Sequence, residues 1–143
     1  CGLSALPGKT SQVIIHDGAR PLLTPEDLMT VIEAGYRCGA ATLAVPVKDT
    51  VKTADTGGWV GETLPREMLW LIQTPQVFEY GLITGAHQKA RETGFTATDD
   101  ASLVEEAGGK VKLVRGSYSN IKVTTPEDLL FAEFLVKRGG VYP

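Results

Sequence analysis

The stretch Val13-Ile14-Ile15-His16-Asp17-Gly18-Ala19-Arg20-Pro21 decides the fold. Its three apolar residues predict a short buried strand, and Gly18 with Pro21 predicts the turn that ends it. Between strand and turn stand an imidazole, a carboxylate and a guanidinium. Open α/β sheets bind ligands in the crevice outside the carboxyl ends of their strands, which puts Asp17 and Arg20 where ligands go. A carboxylate there can hold Mg²⁺, and a guanidinium can fork onto a phosphate. The same two side chains can equally pair and do no more than staple the loop.

Outward from this stretch, residues 2–6 look like the remnant of a helix that Pro7-Gly8 ends, and the strand covers 12–16. Thr24-Pro25-Glu26-Asp27 predicts a helix start, with Thr as N-cap, Pro in the first position and two acids in the first turn. Leu28, Val31, Ile32 and Ala34 give that helix an apolar side, and Gly39 closes it after about Arg37. Residues 41–47 predict a second buried strand, with Pro46 near its end. From Lys48 to Thr53 the pattern alternates and turns polar, Gly57-Gly58 signals a hairpin turn, and 59–64 returns. A hairpin this polar does not belong to a core. It predicts an arm at about 48–66 that is marginal alone and needs a surface to pack on, with Trp59 near its tip.

Residues 69–73 predict a third apolar strand running into Thr74-Pro75-Gln76-Val77-Phe78, which can also be a loop. Helices follow at about 80–92, ended by Gly94, and at 101–106, capped by Thr98-Asp99-Asp100 and closed by Gly108-Gly109. Residues 110–114 alternate in polarity, which predicts an edge strand, and 120–123 predict another. Thr125-Pro126-Glu127-Asp128 repeats the earlier helix start and opens an amphipathic last helix over 129–137. This order predicts an α/β fold on a mostly parallel sheet, with helices supplying the crossovers.

A length of 143 residues is that of one domain. Hydrophobic residues at 43% and charged residues at 22% lie near globular averages, so disorder is not the default. A net charge of −3 argues against a nucleic-acid-binding domain. Two cysteines, Cys1 and Cys38, make no disulfide framework and point to a reducing cytoplasm, with Cys38 expected as a buried apolar residue late in a helix. No apolar run approaches the roughly 20 residues of a membrane span. Zinc-ligand spacing, G-x-S-x-G, Walker A and G-x-G-x-x-G motifs are all missing, which leaves hydrolase, P-loop and dinucleotide-binding readings without support.

Arg20, Arg66, Thr74 with Gln76, and Lys122 fall at strand ends or loops. Thr98 falls at a helix N-terminus, where the first N–H groups favour an anion, although a plain N-cap is the alternative. Lys122 lies between Ile121 and Val123 and points away from both, as a phosphate ligand or as an exposed edge residue. His16 is expected to make a structural hydrogen bond rather than serve as a general base, and His87 to lie on a helix surface. Dispersed Arg, Lys and Thr donors with one carboxylate, and no nucleophile–base pair, suit phosphoryl or nucleotidyl transfer by positioning and electrostatics.

Five ordered motifs carry a resemblance: His16-Asp17-Gly18-Ala19-Arg20-Pro21, Pro46-Val47-Lys48-Asp49-Thr50-Val51-Lys52, Gln73-Thr74-Pro75-Gln76-Val77-Phe78, Thr98-Asp99-Asp100-Ala101-Ser102 and Asn120-Ile121-Lys122-Val123-Thr124-Thr125-Pro126-Glu127-Asp128-Leu129. In order and spacing they resemble the 2-C-methyl-D-erythritol 4-phosphate cytidylyltransferases of non-mevalonate isoprenoid biosynthesis. The resemblance implies a Rossmann-like nucleotidyltransferase sheet with a protruding β-hairpin arm. It also implies a reaction between CTP and methylerythritol phosphate that releases pyrophosphate with the help of Mg²⁺.

Carried over by motif, Asp17 is expected at the junction of cytidine ribose, metal and substrate, and Gly18 against the nucleotide. Arg20, Thr74 and Thr98 are expected on the substrate side, and Lys122 as the cation beside the α-phosphate as it becomes five-coordinate. Thr50 and Arg66 match positions on the family's arm, which crosses to a second subunit and implies a homodimer in the cytoplasm, or in a plastid for a plant or algal source. Gly18 stands where the family's word has Ala. The family's Gly-rich loop and cytosine-reading segment would precede Cys1, and Cys1-Gly2-Leu3 resembles the tail of the helix after them. The chain is therefore expected to be a partial nucleotidyltransferase domain that binds CTP poorly and is inactive alone. A ribitol 5-phosphate cytidylyltransferase is the nearest alternative, although Pro46-Val47-Lys48-Asp49-Thr50 and Arg66-Glu67-Met68-Leu69-Trp70 fit the methylerythritol enzyme better. A non-catalytic dimerisation or ligand-binding module is the other.

Overall fold

Thr24 and Thr125 begin helices for the same local reason. Each hydroxyl accepts the N–H three residues on, from Asp27 at 3.1 Å and from Asp128 at 3.3 Å. Asp128 returns the favour by accepting from the N–H of Thr125, which completes a capping box. The computed structural model describes residues 2–138. Its elements are β1 (Gln12–Ile15), α1 (Pro25–Cys38), β2 (Ala40–Pro46), β3 (Val51–Ala54), β4 (Val60–Leu64), β5 (Trp70–Glu79), α2 (Tyr80–Thr93), α3 (Asp100–Glu106), β6 (Lys112–Arg115) and α4 (Pro126–Lys137). The expected helix remnant is a 3₁₀ turn, Gly2–Ala5, and Cys1 lies outside the described residues. No helix among the described residues is long and apolar enough to cross a membrane.

Four strands form the central sheet in the order β1-β5-β2-β6. The strands β1, β2 and β6 run one way and β5 runs against them, so among the described residues the only parallel pairing in this sheet is β2 with β6. Strand directions are mostly shared, as expected, yet the pairings are not. The reason is local: a hairpin, not a crossover helix, joins β2 to β5, so the chain re-enters the sheet in the opposite sense.

The sheet is covered on both faces. On one face α1 packs Val31 against Ala41, Leu43, Val77 and Val114. On the other, Ile83, Ala86 and Ala90 of α2 and Ala101, Leu103 and Val104 of α3 pack with Val13, Ala40 and Phe78. Gly35 lets α1 approach β5 closely, since a Cβ there would stand 2.4 Å from Val77 Cγ1. The strand pair β3–β4 is a sheet of its own, turned by Asp55, whose Oδ1 accepts the N–H groups of Gly57 and Trp59, both at 2.9 Å. Gly58 takes the left-handed conformation that this turn needs, with φ of 81°.

Several expectations are corrected. Thr74-Pro75-Gln76 is not a loop but the middle of the ten-residue β5; Pro75 fits because the β2–β5 register shifts between Thr42 and Ala44. Residues 120–123 are not a strand: Ile121 and Val123 pack with Leu22, Ala132 and Leu135 instead. Ile14 is exposed, because it points to the opposite face of β1 from Val13 and Ile15, which pack against the α2–α3 core. Cys38 is exposed, at the last position of α1. Only Ala132 of α4 is buried, while Leu129, Leu130, Phe131 and Phe134 are exposed, so the helix is less one-sided than its pattern suggests. His87 is half-buried, with Nε2 2.8 Å from Asp100 Oδ1, and ties α2 to α3.

Candidate functional site

Where β1 ends, the chain turns under β5 and is locked by a relay of hydrogen bonds. The Asp17 N–H donates to Thr74 Oγ1 at 3.0 Å, and Thr74 Oγ1 lies 3.0 Å from His16 Nδ1. His16 Nε2 lies 3.1 Å from the Arg20 carbonyl. A carbonyl can only accept, so Nε2 carries the hydrogen; in the neutral ring Nδ1 then accepts from the Thr74 hydroxyl. His16 therefore has the structural role expected of it.

Arg20 is the buried post of the site, with its side chain 12% exposed. Its Nη1 donates to the Asn120 carbonyl at 2.7 Å, Nη2 to the Ile72 carbonyl at 3.5 Å, and Nε lies 3.6 Å from Asp17 Oδ2. Burial pulls the guanidinium pKa below its ordinary value, and the charge of Asp17 opposes that pull. Much of the expected fork is thus directed at the protein's own backbone, and the stapling of the loop is real.

Lys122 arrives from the far end of the chain. Asn120, fully buried, donates from Nδ2 to the Thr74 carbonyl at 2.9 Å, and the Val123 N–H donates to the Ala19 carbonyl at 2.8 Å. Between these anchors Lys122 Nζ stands 3.1 Å from Asp17 Oδ2. The lysine side chain is 49% exposed and that of Asp17 36%, so the pair contributes at most about 1 kcal/mol to the fold.

The third wall is the start of α3. Asp99, not Thr98, is its N-cap, accepting from the Ser102 N–H at 2.9 Å and from the Ser102 hydroxyl. Gln76, buried in β5, donates from Nε2 to Asp99 Oδ2 at 2.8 Å and accepts the Ala101 N–H at 3.1 Å. Burial works against ionised Asp99, but the hydrogen bonds from Ser102 and Gln76 outweigh it and hold the carboxyl below its usual range. Thr98 is left beside this cap, its Oγ1 3.5 Å from Ser102 Oγ.

Together these walls enclose a cleft of ≈ 440 Å³ that gathers Asp17, Arg20, Thr74, Thr98 and Lys122. Gly18 is exposed next to it, and a Cβ there would meet nothing within 4 Å, so the Ala of the resembling motif would fit without strain. Thr50 and Arg66 are not brought into this cleft; Thr50 directly precedes β3, and Arg66, just beyond β4, donates from Nη1 to the Lys48 carbonyl at 3.0 Å. Another cleft, ≈ 500 Å³ along α2, holds His87 and Arg91 but none of the expected residues. Asp99 and Asn120, which brace the site, stood in the sequence only as part of a helix cap and of a motif, with no role at the site. The spacing of Asp99 three residues before Ser102 signals a cap, whereas a buried loop amide such as Asn120 leaves no pattern.

One carboxylate between two cations, beside hydroxyls, can bind a phosphate-bearing ligand and neutralise charge that develops on it. Comparison with known proteins places the chain among its relatives. Residues 1–138 match the profile of the family IspD: 2-C-methyl-D-erythritol 4-phosphate cytidylyltransferase. The 2-C-methyl-D-erythritol 4-phosphate cytidylyltransferase of Pelotomaculum thermopropionicum is 59% identical over 136 residues, covering 95% of this chain and 57% of that protein. Its counterpart in Desulforamulus reducens is 58% identical over 137 residues, covering 96% of this chain and 58% of that protein. The crystal structure of 4-diphosphocytidyl-2C-methyl-D-erythritol synthase from Anaerococcus prevotii superposes with a TM-score of 0.88 at 40% identity, covering 96% of this chain and 64% of that one. The chain thus spans a little under three-fifths of the length of these two curated relatives.

Proposed function

This chain belongs to the 2-C-methyl-D-erythritol 4-phosphate cytidylyltransferase family, and from that premise we propose that the whole protein joins CTP to 2-C-methyl-D-erythritol 4-phosphate. A phosphate oxygen of the polyol attacks the α-phosphorus of CTP. The new P–O bond forms as the bond from the α-phosphorus to the oxygen bridging it to the β-phosphate breaks, and pyrophosphate leaves with that electron pair. The observation that carries the proposal is the Lys122–Asp17–Arg20 cluster in the cleft. Lys122 is the half-exposed cation of the three, free to swing from Asp17 onto the α-phosphate as its charge grows. Arg20 stays fixed and keeps the loop, and so Asp17, in place. Thr74 and Thr98 offer hydroxyls on the polyol side, and Gly18 offers backbone to the nucleotide.

Mg²⁺ is commonly held by one or two carboxylates together with substrate phosphates, and a cleft with Asp17 at its mouth suits that arrangement. When bound, the ion would neutralise phosphate charge in the reaction. Thr50 and Arg66 act from the arm, completing the polyol site of a second copy in a homodimer. The exposure of Trp59 and Val60 on that arm supports this arrangement. Two cysteines without a disulfide framework support a cytoplasmic setting.

The test is Mg²⁺-dependent pyrophosphate release from CTP by the full-length protein, with methylerythritol phosphate and with ribitol 5-phosphate as alternative acceptors. Release with the first is expected. Lys122→Ala is expected to lower kcat on the order of a hundred- to a thousandfold, with the fold intact. Near-normal turnover in that variant would remove Lys122 from the mechanism, and preference for ribitol 5-phosphate would overturn the substrate.

A further inference from the structure

The segment from Gly116 to Lys122, between β6 and α4, faces two ways. Toward the body it is anchored by Gln73 Nε2, which donates to the Ser117 carbonyl at 2.9 Å, and by the buried Asn120. Toward the arm it extends Tyr118. Its Oη donates to the Pro46 carbonyl at 2.7 Å, and Lys48 Nζ stands 3.5 Å from its ring centroid, a cation–π contact. The Lys48 carbonyl in turn accepts from Arg66 Nη1 at 3.0 Å. Pro46 and Lys48 are the outgoing root of the arm, and Arg66 lies on its returning root. The roots are joined by the Val47 N–H donating to the Leu69 carbonyl at 3.0 Å.

A two-stranded ribbon that pairs with no other strand is soft where it leaves the body. Its direction is set by whatever grips the root. We propose that Tyr118 is a positioning residue that fixes the direction of the arm, and with it Arg66 and Thr50, from the same short loop that presents Lys122. The proposal rests on the functional reading above and adds to it a mechanical link. One loop carries the cation of its own cleft and aims the polyol contacts that the arm delivers to another. Asn120 holds the Lys122 end and Tyr118 holds the arm end, so the two ends are separable by mutation.

The experiment uses the full-length protein with Tyr118→Phe and Tyr118→Ala. Removing the hydroxyl and the ring leaves the Asn120 and Gln73 anchors in place. Tyr118→Ala is therefore expected to raise KM for methylerythritol phosphate roughly three- to tenfold, with kcat and KM for CTP within about twofold of wild type. Hydrogen exchange at the Val47 amide should speed up. Tyr118→Phe, which keeps the ring under Lys48 and folds readily, is expected to move the same quantities less and in the same direction. Unchanged polyol KM and unchanged exchange in both variants would overturn the proposal. So would an equal rise in both KM values with a fall in kcat, which is the mark of a loosened Lys122 loop. A wild-type protein that transfers no cytidylyl group fails the functional reading instead, and exchange at Val47 then decides the Tyr118 link alone.

Discussion

Asp99 shows how one residue can make the site sensitive to acid. Its folded carboxyl titrates below the ordinary value of 3.8, because hydrogen bonds from Ser102 and Gln76 prevail over burial. A depressed folded pKa means that the unfolded chain takes up the proton first. The stability Asp99 contributes is therefore complete above that ordinary value and is lost as pH falls through the lower folded one. Asp128, capped by the N–H groups of Thr124 and Thr125, is shifted in the same direction. Asp99→Asn keeps a capping oxygen but cannot titrate, so its urea midpoint is expected to fall less than that of wild type as pH drops below about 4. Equal losses in the two proteins would show that Asp99 has no part in acid unfolding. At this scale the sequence left Asp17, Arg20 and Lys122 open between ligand contacts and plain surface ion pairs, and the structure brings the three side chains together. Asn120 was not legible, because a loop amide becomes a buried anchor only through partners that lie far off in sequence.

At the scale of elements, the same division follows from how local each signal is. Thr24 and Thr125 announce their helices because a cap is made within four residues. Strand β5 was harder, because its continuity through Pro75 depends on a register shift against β2 that no window of sequence contains. Residues 120–123 have a strand's alternation, yet their apolar members face α4 and Leu22 rather than a neighbouring strand. Gly35 is a test of the packing that results. It costs α1 some intrinsic helicity, but a Cβ there would meet the Val77 side chain at 2.4 and 2.9 Å. Gly35→Ala is expected to destabilise the protein by about 1–3 kcal/mol through overpacking, read as a lowered urea midpoint with unchanged slope. A stabilised variant would mean that α1 is free to lift from the sheet.

At the scale of the whole molecule, the arm and the body answer different demands. The body buries its apolar residues on two faces of one sheet, while the arm leaves Trp59 77% exposed. The full-length protein is expected to sediment as a dimer. Replacing residues 51–64 with a short Gly-Ser turn should yield monomers that keep the circular dichroism of the body, since among the described residues β3 and β4 pair only with each other. Persistent dimers would move the interface off the arm. The bond between Arg20 and the Asn120 carbonyl has a consequence in time as well as in space. Its partners are 100 residues apart, and the entropy of closing so long a loop grows only slowly with length. What the distance sets is order. On the ribosome, β1, β2 and β5 have all emerged before the last wall of the cleft exists. A half-made chain can therefore display much of its sheet and still have no grip on a phosphate. Ligand capture would then stabilise the chain only from the point at which Asn120 and Lys122 have joined the cleft.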